Sequence, residues 1–248
     1  ATARYSMRIA TDDADVRAAQ RLRYQVFAEE LGATLTPDPA LPGHDVDPFD
    51  RHCDHLIVVE EPTGAVVGTY RMLPPGRAAA AGGWYSDHEF NLASLAPLRS
   101  ALVGTGRSCE HPNHRGGAVI GLMWAGLARY LNLTGHRWLA GCASISLADG
   151  GDTADRVWQL ASARHLAPPR LRVQPHRPWP VAVAPARPGP VVVPPLLRGY
   201  LRLGAWVCGP PAHDPAFGVA DLFVLLSLDR TDPRYLRHFL GDAAGGLG

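Results

Sequence analysis

The stretch that most constrains this chain runs from Gly106 to Leu131, GRSCEHPNHRGGAVIGLMWAGLARYL, and leads directly into RWLAGCASISL. Leu102 to Glu110 reads as a strand. Ala118 to Leu133 places Val119, Leu122, Met123, Leu127 and Tyr130 at helical spacing, and the following run is again strand-like. A helix of Thr153 to His165 comes next. Strand, helix, strand, helix in that order implies a parallel strand pair joined by a right-handed crossover at the heart of a sheet. Any other element must be arranged around that pair.

Upstream, Val16, Ala19, Leu22, Val26 and Phe27 recur at helical spacing between Asp12 and Leu31, behind the capping candidates Thr11, Asp12 and Asp13. Gly32 can end this helix, and Thr36 to Asp50 is a loop rich in proline and aspartate. His55 to Glu60 and Ala65 to Leu73 flank a Pro-Thr-Gly turn and predict a hairpin. Ala78 to Leu98 is irregular. Ala167 to Pro195 carries too much proline for a central strand or helix, so it reads as an extended excursion over the surface. PPLLRGYLRLGA predicts a short helix, AWVCG and ADLFVLLSLD a closing strand pair, and DPRYLRHFL a last amphipathic turn. With 248 residues and 46% apolar content, the expectation is one domain spanning residues 1–248.

All 24 basic residues are arginine, so every Lys/Arg cation is a planar, forked donor. A net charge of +1 provides no general basic field, which argues against nucleic acid as a partner. Cys53, Cys109, Cys142 and Cys208 are far apart with no CxxC spacing. They read as reduced, buried thiols rather than a disulfide or metal framework, and no metal is expected. No run approaches the ~18 apolar residues of a membrane span, and no alternating lipid-facing pattern supports a pore. The expected location is cytoplasmic, with membrane contact only from outside.

At the junction, a helix N-terminus offers unpaired N–H groups and about half a positive charge. Gly116 and Gly117 clear an approach for phosphate, and Arg115 adds a guanidinium that can grip the same anion. A tight turn whose glycines serve only geometry is the competing reading.

Strand, RGGA turn and helix together resemble the GNAT acyltransferases, whose RxxGxG/A loop holds pyrophosphate or phosphopantetheine. Ala118 and Ile120 stand where glycine is usual. A narrower branch fits better: the ornithine-lipid N-acyltransferases, often labelled hemolysin-like, related to the acyl-homoserine-lactone and N-acyl amino acid synthases. RLRYQVFAEELG and DVDPFDRHCDHLIV look like that branch's first helix and acidic loop, with Arg23, Phe27, Asp45, Asp47 and Asp50 at the matching positions. VVGTYRMLPP, carrying Arg71, the junction itself and PPLLRGYLRLGAWVCGPPAHDPAFGVADLFVLL complete the set in the right order.

The resemblance implies an α/β GNAT fold: a mixed central sheet splayed beside the strand preceding the phosphate loop, with helices on both faces. It implies acyl transfer from the phosphopantetheine thioester of acyl carrier protein, or from acyl-CoA, to a small amine or amino acid such as ornithine. No permanently bound cofactor is implied. Ser108, Cys109, Glu110, Arg115, Gly116, Gly117 and Ala118 would lie along the donor, and Arg107 with Asp45 and Asp47 would be catalytic. Arg23, Phe27 and Arg71 would bind substrate. An Arg and Asp network that only pins the first loop to the sheet is the alternative for Arg71 and Arg107, while Asp50 and Asp54 read as turn and cap residues.

One departure matters. The branch commonly has a glutamate base three residues before the arginine matching Arg107, and this chain has Gly104. Glu110 shares that face by strand parity but lies roughly 20 Å away along an extended chain. His111 or His114 could pair with it beside the phosphate loop. The base is therefore Asp45, Asp47 or a histidine acting through water, the acceptor binds neutral, or the chain is a non-catalytic acyl-donor-binding or partner-binding module. The arginines Arg164, Arg170, Arg172, Arg177 and Arg187 in or beside the Pro-rich excursion suggest a docking face for an acidic carrier protein, against the plainer reading of a solvated loop.

Overall fold

The computed structural model describes residues 4–181 and 189–235. In chain order the strands are β1 (Tyr5–Ile9), β2 (Asp54–Glu60), β3 (Ala65–Leu73), β4 (Phe90–Asn91), β5 (Leu102–Glu110), β6 (Trp138–Ser146), β7 (Gln174–Pro175), β8 (Trp206–Val207), β9 (Ala212–Asp214) and β10 (Val219–Ser227). The helices are α1 (Asp13–Tyr24), α2 (Pro75–Ala78), α3 (Ala118–Thr134), α4 (Asp152–Arg164) and α5 (Pro195–Arg202). The main sheet runs β1-β2-β3-β5-β6-β10-β8, with β9 also on β10, while β4 and β7 form a separate ladder. β5 and β6 are the parallel pair, connected through α3 as the sequence pattern requires.

That pair is the structural key. Its rungs run only from Leu102↔Trp138 to Thr105↔Gly141, although the strands continue to Glu110 and Ser146. Beyond the last rung the sheet parts into a V. Gly141 makes the vertex possible, because a Cβ there would meet the Thr105 carbonyl oxygen at 2.5 Å. On its other edge β5 carries a bulge: Tyr70 of β3 faces both Arg107 and Ser108 between the rungs Thr69↔Cys109 and Arg71↔Gly106. Arg107 takes φ 54°, a conformation few non-glycine residues hold. The extra residue also breaks the alternation that put Glu110 on the face of Gly104.

Helices cover both faces. α3, α4 and α5 bury Met123, Leu127, Val157 and Leu197 against Leu56, Val58, Leu139 and Ile145. α1 sets Ala19 against Ile57 and Val59 on the opposite side. Beside it, the irregular segment packs Trp84, Phe90 and Leu95 onto Leu102, Ala140 and Phe223. Each fully buried side chain of this size stabilises the fold by roughly 1.5–3 kcal/mol. Asp12 caps α1 by accepting from the Asp15 N–H, and the helix continues as a π-turn over Gln25–Glu30 before Gly32 (φ 71°).

Two expectations change. β1, absent from the sequence reading, is a short edge strand antiparallel to β2. The Pro-rich excursion is packed rather than loose over part of its length. Ala167, Leu171 and Val173 are buried, and the Trp179 N–H donates to the Pro211 carbonyl while its indole lies against His213. Arg187, and the final turn from Leu236 onward, lie outside the described residues. Among the described residues no helix is long and apolar enough to cross a membrane.

Candidate active site

The V between β5 and β6 opens into a cleft of ≈ 960 Å³. Thr105 to Ser108 line one wall and Cys142 to Ser144 the other, with Phe27, Leu31, Leu196, Leu197 and Phe217 supplying an apolar end. Polar backbone along one side and an apolar recess at the other suit a long amphipathic ligand. Of the aromatics Trp84, Tyr85, Phe90 and Trp124, only Tyr85 lines it.

The glycine-opened helix start stands beyond the mouth. Gly116, Gly117 and Ala118 are exposed, Gly117 has φ 92°, and no Cβ built at either glycine would meet another atom within 4 Å. α3 has no side-chain cap. Arg115 is held at the rim by two hydrogen bonds to Glu30, at 2.6 and 2.7 Å. Glu110 lies near the Ile120 N–H, and its Oε2 is buried without a donor. Burial raises its carboxyl above the usual range, with Arg115 opposing. The partners weighed for Glu110 lie elsewhere: His111 meets Gln25 and His114 meets Tyr5.

The acidic loop and the arginines form one buried network. Arg23, with no exposed side-chain surface, binds Asp45 at 2.8 Å and Asp50 at 2.9 Å. Arg71 bridges Asp47 and Asp50 at 2.8 and 2.9 Å, and Arg107 reaches Asp45 and Asp47 at 3.1 Å each. Asp50 also accepts from Gln20. Burial alone would raise the Asp50 carboxyl, but Arg23 and Arg71 hold it far below the carboxylate range.

This geometry alters several assignments. Arg23 faces the loop and not the cleft. Asp45 and Asp47, expected as catalytic residues and candidate bases, are absent from the cleft lining and are engaged by arginines. Asp50 opens the 3-10 turn Asp50–His52, as expected of a turn residue, and is also the hub of the network. Asp54 pairs with Arg77 and accepts from the Tyr130 hydroxyl. Cys109 is buried with Leu22 and Val26 beneath α1, so its side chain points away from the donor path. Phe27, Arg71, Arg107 and Ser108 do line the cleft, and the Arg107 guanidinium lies 4.6 Å from the Phe217 ring centre.

Gly104 has a structural reason. A Cβ there would stand 2.3 Å from the Trp84 indole, so the ring occupies the place of the glutamate common in the branch. Carboxylates come instead from segments that the sequence reading left without a role. Glu89 and Asp221 lie within hydrogen-bonding reach of one another, beside Cys142 at 3.5 Å from Glu89, and the ligand atoms of all three fall within 4.8 Å. The signal that could have found them is the lone aspartate in VADLFVLLSL, a charge inside an otherwise apolar, buried strand.

A splayed sheet, a bulge at the vertex and an open helix N-terminus define an acyltransferase of the GNAT class, and residues 22–125 match the acetyltransferase (GNAT) domain. Over nearly its full length the chain is similar to the L-ornithine N(alpha)-acyltransferase of Rhodobacter capsulatus, 35% identical over 98% of this chain and 97% of that protein. The protein of the same name from Brucella abortus is 32% identical over 96% and 89%. The chain belongs to this family and is an N-acyltransferase. Its fold is shared by BjaI, a CoA-dependent acyl-homoserine lactone synthase (TM-score 0.59, 15% identity, 96% and 90% covered). It is shared also by FeeM, an N-acyl amino acid synthase from uncultured soil microbes (TM-score 0.54, 15% identity, 92% and 93% covered).

Proposed function

We propose that the protein transfers a fatty acyl group from the phosphopantetheine thioester of acyl carrier protein, with acyl-CoA as the lesser donor, to the α-amine of ornithine or a similar amino acid. The observation that carries this reading is the cleft at the V, lined by the parted strands and by apolar side chains, with the glycine-opened start of α3 exposed beyond its mouth. The donor phosphate would meet the N–H groups of Gly117, Ala118 and Val119, with Arg115 turning from Glu30 to grip it. The pantetheine amides would pair with the strand edges that β5 and β6 leave unmatched, along Gly106 to Ser108. Phe27 and Phe217 would pack on the arm. Arg107 and Arg71, anchored by the aspartates, would fix the bulge where the thioester carbonyl must sit. Transfer is direct: the amine attacks, and no covalent enzyme intermediate forms.

Purified protein incubated with acyl carrier protein bearing a fatty acyl group, or with acyl-CoA, and an amino-acid mixture should yield an N-acyl amino acid by mass spectrometry. Its rate should fall at least tenfold in the Arg107→Ala variant. Donor binding with no acylated amine above that variant would identify a binding module instead.

A further inference from the structure

Behind Tyr85 the cleft adjoins a second, more polar recess of ≈ 710 Å³. Tyr85 and Asp214 line both spaces, Glu89 faces the recess, and Asp221 faces the cleft. The two carboxyls that meet each other thus stand in the wall between the donor's path and a separate chamber. That chamber is also lined by Arg177, beside His88, His176 and His213. A cation and carboxylates in one small space match the opposite charges of an α-amino acid.

The pair is built to hold a proton. Asp221 is 3% exposed, on β10 opposite Ser144, three residues past the vertex at Gly141. Glu89 Oε1 and Asp221 Oδ1 are buried and receive no hydrogen bond from a protein donor. Two carboxylates within reach of each other in so little water cannot both ionise, and one proton shared between them resolves both orphaned oxygens. Burial raises both carboxyls. The Tyr85 hydroxyl lies near Glu89 on the cleft side and favours its ionised form. Cys142 carries its proton, because burial pushes the thiol well up.

We propose that the Glu89–Asp221 pair is the general base of this transferase and that the recess behind Tyr85 seats the amino-acid acceptor. The inference rests on the acyl-transfer reading above. The acceptor enters as an ammonium, and the singly ionised pair removes one proton. The free amine forms the C–N bond as the C–S bond breaks, and a second nitrogen proton ends on the departing thiolate, giving amide and thiol. The pair then returns its proton to solvent through the recess. This supplies the function that Gly104 cannot, from the opposite side of the vertex.

The test is steady-state kinetics of wild type, Glu89→Gln and Asp221→Asn, with donor binding measured separately by fluorescence titration of the acyl donor. Glu89→Gln should lower kcat/KM for the acceptor by about 10²–10⁴-fold with donor affinity unchanged. The wild-type fall in rate at low pH, as the pair takes its second proton, should vanish. The other titratable groups facing the pair are Asp214, Cys142 and Tyr85, with Arg107 beyond the Tyr85 ring and the three recess histidines beside Glu89. Asp214→Asn should therefore keep the low-pH limb. The overturning results are wild-type kcat/KM and an intact limb in Glu89→Gln, equal loss of donor affinity, or wild-type activity abolished by chelator, which would make the Glu89, Cys142 and Asp221 group a metal site. Should Asp221→Asn fail to fold, Glu89→Gln decides alone. A wild type that acylates no amine fails the acyl-transfer reading itself, a distinct outcome from a variant that matches an active parent.

Discussion

A carboxylate as enclosed as Asp50 is tolerated only because four residues donate to it: the side chains of Gln20, Arg23 and Arg71 and the Asp47 backbone N–H. Its depressed pKa makes the network a source of pH-dependent stability with a definite sign. A carboxyl held below its unfolded value of about 3.9 contributes fully above that pH, and the contribution drains away as pH falls towards the folded value. Urea titrations should show wild-type unfolding free energy falling more steeply between about pH 4 and pH 2 than that of Asp50→Asn. At neutral pH the variant should be less stable by about 3–5 kcal/mol, since Arg23 and Arg71 lose their shared partner. Parallel pH slopes would mean the carboxyl is not held low. Arg23, Asp45, Asp47, Arg71 and Arg107 were all legible in the sequence, and so was an Arg and Asp network pinning the first loop to the sheet; Asp50 as its hub was not. Pairings between residues 21 to 62 positions apart leave no trace in local spacing, so a hub on a 3-10 turn looks like an ordinary turn residue.

Elements whose period and punctuation agree were legible almost to the residue: the β2–β3 hairpin, β5, α3 and β6. The V was legible only through family likeness, because it is made by rungs that stop, and the bulge was not legible at all. β1 is five residues of alternating exposure at a sheet edge, too short to stand out from loop. The start of α3 shows what such local detail does. Glu110 lies near the Ile120 N–H on the helix end that the donor phosphate would meet, so an ionised Glu110 competes with it for positive potential. Since burial raises this carboxyl, donor affinity should fall as pH rises through that elevated value. Glu110→Val should bind CoA about 2–5-fold more tightly at neutral pH, the equivalent of roughly 0.3–1 kcal/mol, and lose the dependence. Isothermal titration from pH 5 to pH 8 would read both. A variant no tighter than wild type, with the same pH slope, would remove Glu110 from the donor site.

At the scale of the molecule, the V divides the sheet into β1-β2-β3-β5 on one side and β6-β10 with β8 and β9 on the other, joined by four parallel rungs at the vertex. The core under α3, α4 and α5 spans both halves, so the chain holds together without ligand, yet the arms of the V beyond Gly141 have no backbone partners across the gap. A donor whose amides pair with both arms would complete that part of the sheet. It would bind the folded state alone and stabilise it by mass action, about 2.7 kcal/mol at a hundredfold excess over Kd. For a domain of 150–250 residues each kcal/mol shifts Tm by roughly 2–4 °C, so a saturating acyl donor should raise Tm by about 5–10 °C in scanning calorimetry. Free ornithine, which bridges nothing, should stabilise less at the same multiple of its own Kd only if it also binds the unfolded chain. The discriminating comparison is therefore local. Hydrogen exchange at Gly106 to Ser108 and Cys142 to Ser144 should slow together with donor and not with ornithine, because protection there requires a hydrogen-bonding partner between the arms. Protection confined to β5 would place the donor outside the V and return the cleft to being a gap in the sheet.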